Sequence, residues 1–128
     1  DDIRCYALDR KENVMISDKV FKIPKDLEPA DYFKDCFGII NNKNSEVQKV
    51  VLNVDAFQSN YIRNLPLHAS QKETERTDEY SIFEYHLKPE FDFEQEIFSN
   101  MDAMEVLEPL WLREEVKERI KILASKYL

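Results

Sequence analysis

A single glycine, Gly38, stands in 128 residues. A phosphate-cradling P-loop, a GxGxxG dinucleotide turn and a GxSxG nucleophile elbow each need two or more glycines, so those designs are excluded. Cysteine is nearly as scarce. Cys5 and Cys36 are too few for a disulfide framework and lack CxxC spacing, so a reducing cytoplasm is the simplest compartment. His68 and His86 stand 18 residues apart with no zinc-like cluster around them, so neither a metal nor another cofactor is expected. No apolar run approaches the roughly 20 residues of a membrane span. The first residue is Asp1, and nothing like a signal peptide follows, so the chain reads as a piece of a longer one.

What is present is a globular composition, 43% hydrophobic and 34% charged, long enough for a real core. The net charge is −8, and residues 90–128 hold 10 acidic against 5 basic side chains. Non-specific duplex DNA binding runs on lysine and arginine, so the last third should repel nucleic acid. The near-neutral first third leaves room for a local basic pocket.

Residues 2–8 alternate, with Ile3, Cys5 and Ala7 on one face and Arg4, Tyr6 and Leu8 on the other, the period of a strand. Val14 to Ile16 suggest a second short strand. Pro29 suits the first turn of a helix whose stripe is Tyr32, Phe33, Cys36 and Phe37. Cys36 reads there as a buried small hydrophobe. Gly38 follows where a helix end favours a left-handed residue, and is taken as the C-cap. The polar stretch 41–46 marks a boundary, dividing the chain into 1–43 and 44–128.

The second part has a clear order. A strand spans roughly 47–54, and Asp55 caps a helix with Gln58 as capping-box partner. Phe57, Tyr61, Ile62 and Leu65 form the predicted buried side of that helix, and Pro66 stops it. Residues 68–76 are polar on both faces yet can be extended. Residues 80–87 form a strong strand with Phe83, Tyr85 and Leu87 on one face. A helix over 90–100 turns Phe93, Ile97 and Phe98 inward, and Met104 and Val106 mark a short strand. Pro109 opens a final helix with Leu112, Val116, Ile120, Leu123 and Tyr127 at helical spacing. The order β-α-β-β-α-β plus a helix is that of an α+β ferredoxin-like domain. It puts the polar 68–76 strand at a sheet edge, where charge discourages aggregation.

Four stretches then resemble the C-terminal half of bacterial WYL-domain transcriptional regulators. Ile3-Arg4-Cys5-Tyr6-Ala7-Leu8-Asp9-Arg10 is similar to the last strand of the WYL domain, with Lys11 in place of the usual isoleucine. Phe21, Pro24, Tyr32 and Phe37-Gly38-Ile39 resemble the segment that closes that domain. His68-Ala69-Ser70-Gln71 resembles the H-x-S-Q stretch of the WYL C-terminal extension. Val106-Leu107-Glu108-Pro109 with Leu112-Arg113 resembles its last strand and helix. The resemblance implies an incomplete Sm-like β-barrel segment over 1–43 and a ferredoxin-like extension over 44–128. It also implies a non-enzymatic role in ligand sensing and homodimer formation, with a nucleic-acid fragment or nucleotide as ligand. Duplex DNA would be met only through an N-terminal winged helix-turn-helix outside this chain. A small-molecule-binding regulatory module on a ferredoxin-like fold is the alternative. The family's Trp-Tyr-Leu tripeptide is absent here; Trp111 precedes Leu112 in a helix.

Arg4 and Arg10 match basic positions of the family and suit bidentate phosphate contacts; otherwise they are surface ion pairs with Asp9 or Glu12. Tyr6 can stack on a base, but the core reading is favoured for it. His68 and Ser70, two apart on a strand, point to one side. A base–nucleophile pair lacks an orienting third group and an oxyanion donor, so an edge hydrogen-bonding pair is favoured, with Lys72 extending a polar edge toward a ligand or neighbouring domain. Glu90, Asp92, Glu94 and Glu96 read as a solvated helix face, and Arg113 as an interface or ligand residue.

Overall fold

The computed structural model describes residues 3–128; Asp1 and Asp2, and with them the first position of the strand expected over 2–8, lie outside the described residues. Strand β1 (Gln48–Asp55) is built by alternation: Val50, Leu52 and Val54 are fully buried, while Lys49, Val51 and Asn53 face the other way. Asp55 ends it and caps α2 (Ala56–Asn64), accepting the Gln58 amide N–H at 2.7 Å. The capping box is half-formed, since the Gln58 side chain donates to Asn100 at 2.6 Å instead of returning to the cap. After Pro66 come β2 (Lys72–Arg76), β3 (Tyr80–Leu87), α3 (Phe91–Ser99), β4 (Met104–Glu108) and α4 (Leu110–Tyr127).

The sheet order is β2-β3-β1-β4, with antiparallel neighbours throughout. β1 and β2 are joined through α2 with β3 between them, which is the split βαβ arrangement expected from the element order. β1 and β3 are central, in the register Leu52–Phe83 and Val50–Tyr85. The charged β2 lies at an edge. Phe83, Tyr85 and Leu87, with Met104 and Val106 of β4, join Ile62, Phe93, Ile97 and Leu112 of the helices in one core. Tyr85 and Phe37 both meet the Phe93 ring edge-on, at centroid distances of 6.1 and 5.5 Å.

Several expectations are corrected. Residues 3–28 contain no strand; the stretch is exposed, with a 3-10 turn at Leu8–Arg10, and Val14, Met15 and Ile16 are exposed too. A strand needs a neighbour for its backbone groups, and none stands beside this stretch. No barrel is formed among the described residues. Helix α1 is short, Pro29–Phe33, with Lys34 as its C-cap in the right-handed region. Gly38 has no positive φ, so it is not a left-handed cap. It lies close to another side chain instead: a Cβ there would meet the tip of the Asp92 carboxylate, Oδ2 at 2.5 Å, which would have to shift.

Helix α2 is rotated from its expected phase. Ile62 and Ser59 are its buried residues, while Phe57 is 70% exposed and Tyr61 and Leu65 are also exposed. Apolar side chains at Phe57 and Tyr61 look like a buried stripe in sequence, but their rings pack on each other at 5.3 Å outside the core. The Ser59 hydroxyl donates to the Val54 carbonyl, which lets a polar residue take the inner position. In α3, Glu94 is buried rather than solvated. In α4, Leu112 is fully buried, but Ile120, Leu123 and Tyr127 are exposed.

Ile62→Ala should therefore cost about 2–5 kcal/mol, as a large-to-small core change does. Phe57→Ala should cost only about 0.5 kcal/mol or less, as a surface change does. Urea unfolding of both variants checks the phase of α2; equal losses would contradict it.

Candidate functional site

Between α2 and β2 the chain makes a tight turn over His68–Gln71, closed by the Gln71 N–H donating to the His68 carbonyl at 3.0 Å. His68 and Ser70 thus sit in a turn, not on a strand as the sequence suggests. The Ser70 backbone N–H donates to His68 Nδ1 at 3.1 Å, and the Ser70 hydroxyl lies 2.8 Å from the same nitrogen. With Nδ1 an acceptor, the ring proton is on Nε2, which points at the Lys34 carbonyl 2.9 Å away. The Ser70 hydroxyl also accepts the His86 N–H of β3 at 2.8 Å. Both ring nitrogens of His68 and the Ser70 hydroxyl are thus committed to structure, which leaves Ser70 unsuited to act as a nucleophile.

Gln71 completes the turn. Its Oε1 accepts the Leu67 N–H at 3.0 Å and the Tyr85 hydroxyl at 2.9 Å, and its Nε2 donates to the Ile62 carbonyl at 2.9 Å. One amide therefore joins the end of α2, the turn and the central strand β3. Burial pushes the Tyr85 phenol well above its ordinary value, so the hydroxyl remains a donor.

The turn also anchors the segment before the sheet. Cys36 forms a parallel bridge to Lys88, whose backbone N–H donates to the Asp35 carbonyl at 2.8 Å. The Lys88 ammonium donates to Asn41 Oδ1 at 2.9 Å, and Asn41 donates to the Tyr32 carbonyl at 2.7 Å. The Ile40 N–H points at Asp92 Oδ2 at 3.5 Å. Residues 34–42 are therefore docked on the ends of β3 and α3. Cys36 is buried as expected, and burial pushes its thiol pKa up, so it is a poor nucleophile. Lys88 carried no signal in the sequence; Asp92 had been grouped with a solvated acidic face.

The remaining predicted site residues are dispersed. Arg4, Tyr6 and Arg10 are exposed, and among the described residues no hydrogen bond or ion pair ties their side chains to the domain. Tyr6 is not a core residue, being 69% exposed. Lys72 is exposed at the start of edge strand β2. Arg113 lies at the other edge, donating to the Val106 carbonyl and pairing with Glu105 at 2.8 Å, so it fastens α4 to β4.

One strong pair escaped the sequence reading. Arg63 of α2 grips Glu73 of β2 bidentately at 2.9 and 2.6 Å. The Arg63 hydrogen bonds hold the Glu73 carboxyl at about 2. The bridge is made only by folding, since the two residues are separated by a turn and have no helical spacing.

The fold thus defines an α+β domain of split βαβ topology with a docked leading segment. Residues 46–124, more than half of the chain, match the WCX domain, the WYL C-terminal extension typical of WYL-domain transcriptional regulators. The chain belongs to the WCX-domain family. No curated protein matches it. Membership in a family of regulator domains speaks for a non-enzymatic role. No helix among the described residues is long and apolar enough to cross a membrane.

His68→Ala should free the Lys34 carbonyl and cost about 1–2 kcal/mol. Hydrogen exchange should quicken over 34–42 while β1 and β3 stay protected; uniform acceleration would refute a local anchor. Glu73 is depressed on folding, so its contribution is complete above about pH 4.5 and is lost as pH falls toward about 2. Glu73→Gln should remove that acid-dependent part of the stability, measured by urea unfolding between pH 6 and pH 3 (on the order of 1 kcal/mol at the upper end).

Proposed function

We propose that this chain is the ligand-sensing and dimerisation region of a WYL-domain transcriptional regulator, and that it is not an enzyme. Residues 1–43 are the closing portion of the WYL domain, and residues 44–128 are the extension. A winged helix-turn-helix elsewhere in the regulator meets duplex DNA, and the protein works in the cytoplasm. The observation that carries this reading is the docking of residues 34–42 on the His68 turn and on Lys88, beside the family match over 46–124. A sensor segment fastened to a rigid sheet can pass a change of arrangement to the rest of the molecule. A ligand achieves this only by binding one arrangement more tightly than the other.

Arg4 and Arg10 suit the phosphates of a nucleotide or nucleic-acid fragment, and Tyr6 suits a base face. All three are exposed in the chain as it stands. The leading segment also bears Val14, Met15, Ile16, Val20, Phe21 and Ile23 in the open. So much apolar surface favours a covering partner, which supports a homodimer or a completed barrel.

Fluorescence anisotropy of short labelled single-stranded oligonucleotides, with mononucleotides as competitors, tests the reading. Binding should weaken as salt rises. Arg4→Glu combined with Arg10→Glu should weaken it by about tenfold or more and flatten the salt dependence. Binding that survives the double reversal removes both arginines from the site, and no binding to any oligonucleotide or nucleotide overturns the ligand class. Sizing chromatography should give a dimer; a monomer at every concentration overturns that part.

A further inference from the structure

Helix α2 presents an outer face that is left open among the described residues. Phe57 and Tyr61, with Leu65 just past the helix end, stand at i, i+4 and i+8, and each is more than half exposed. The two rings meet edge-on at a centroid distance of 5.3 Å, so each braces the other. Beside them a cleft of about 510 Å³ runs past Leu67 and Glu96.

The face is also nearly without charge. Residues 56–71 contain a single Asp, Glu, Lys or Arg, in a chain of which 34% is charged. That residue is Arg63, which is turned onto Glu73 and Asn60. Glu96 is the one charged residue lining the cleft; it is half-buried, and its Oε1 accepts the Asn100 amide at 3.2 Å. Among the described residues, the Tyr61 hydroxyl and the Asn64 side-chain amide have no hydrogen-bond partner. The exposed part of α4 differs: Ile120, Leu123 and Tyr127 stand among Lys117, Arg119, Lys121 and Lys126.

We propose that this face binds the same face of a second copy of the chain, about a two-fold axis close to Tyr61. The inference rests on the homodimer read above and assigns its contact. A two-fold contact sets a surface against itself, so a charge on it meets its own like. For a chain of net charge −8, an uncharged apolar patch is where two copies approach with least repulsion. Antiparallel placement of two α2 helices sets Phe57 of each copy against Leu65 of the other, and Tyr61 against Tyr61. It also brings the free Asn64 amide to the Gln58 end of the other helix, where Glu96 lines the cleft. The carboxylate thus meets an amide donor and not a second carboxylate. A helix of nine residues is only about 14 Å long, and a standard interface takes about 800 Å² from each partner, so the dimer is a weak one that forms with rising concentration.

Sedimentation velocity of the whole chain over a range of concentrations tests the contact. Tyr61→Glu and Tyr61→Lys each set like charges across the axis, and each should raise the dimer dissociation constant by about tenfold or more. An equal mixture of the two variants sets Glu against Lys, and should dimerise more tightly than either variant alone. That rescue is the signature of a residue facing its own copy, and a different partner on α2 would not produce it. Phe57→Glu mixed with Leu65→Lys is a second such pair, which keeps the test open where a Tyr61 variant folds poorly. Urea melts at a dilution where the unaltered chain is monomeric separate lost pairing from lost folding. A dimer unchanged by both Tyr61 variants overturns this contact and leaves the homodimer standing. Weakened variants with no rescue in either mixture overturn the two-fold arrangement. An unaltered chain that stays monomeric at every concentration overturns the homodimer and this contact together.

Discussion

The imidazole of His68 decides how the leading segment meets the sheet. It bridges the Ser70 N–H and the Lys34 carbonyl, and it does so only with the proton on Nε2. That requirement places Ser70 so that its hydroxyl reaches the His86 N–H of β3. It also places Gln71 beneath Tyr85, where one amide serves three elements. Were the ring removed, the turn would keep its backbone closure but lose its hold on residues 34–42. The sheet would survive, because its core of Leu52, Phe83, Tyr85 and Phe93 is apolar and does not include the ring.

The two ends of the molecule contrast in how they treat apolar surface. In the sheet domain it is buried in one layer between strands and helices. In residues 3–28 and the second half of α4 it stands in the open. Charge follows the same division: the extension is acidic, while Arg4 and Arg10 lie on the uncovered segment. An acidic body does not attract duplex DNA. Glu94 is the exception within the body, a charge kept inside a helix face that could have been apolar throughout.

Much of the architecture was legible in the residues. The alternations over 47–54 and 80–87, the Asp55 cap, the stop at Pro66, the opening of the last helix at Pro109 and the polar edge strand all appear in the folded chain. Local patterns of this kind act over a few residues, so a sequence displays them. The phase of α2 was not legible, because Phe57 and Tyr61 are apolar yet pack on each other, and Ser59 is polar yet satisfied by Val54. The role of Gly38 was misread for a related reason. Its nearest obstacle, Asp92, lies far along the chain, and only folding brings the two together.

By itself, the sequence determined element order, edge and centre in the sheet, and a kinship signalled by His68-Ala69-Ser70-Gln71. Tertiary structure alone decided what those residues do. His68 and Ser70 are committed to a turn, Arg113 to strand β4, and Arg63 to Glu73. It also decided that the alternating stretch at the start of the chain is no strand. Periodicity records which face a side chain would take, but a strand exists only where a neighbour receives its backbone hydrogen bonds.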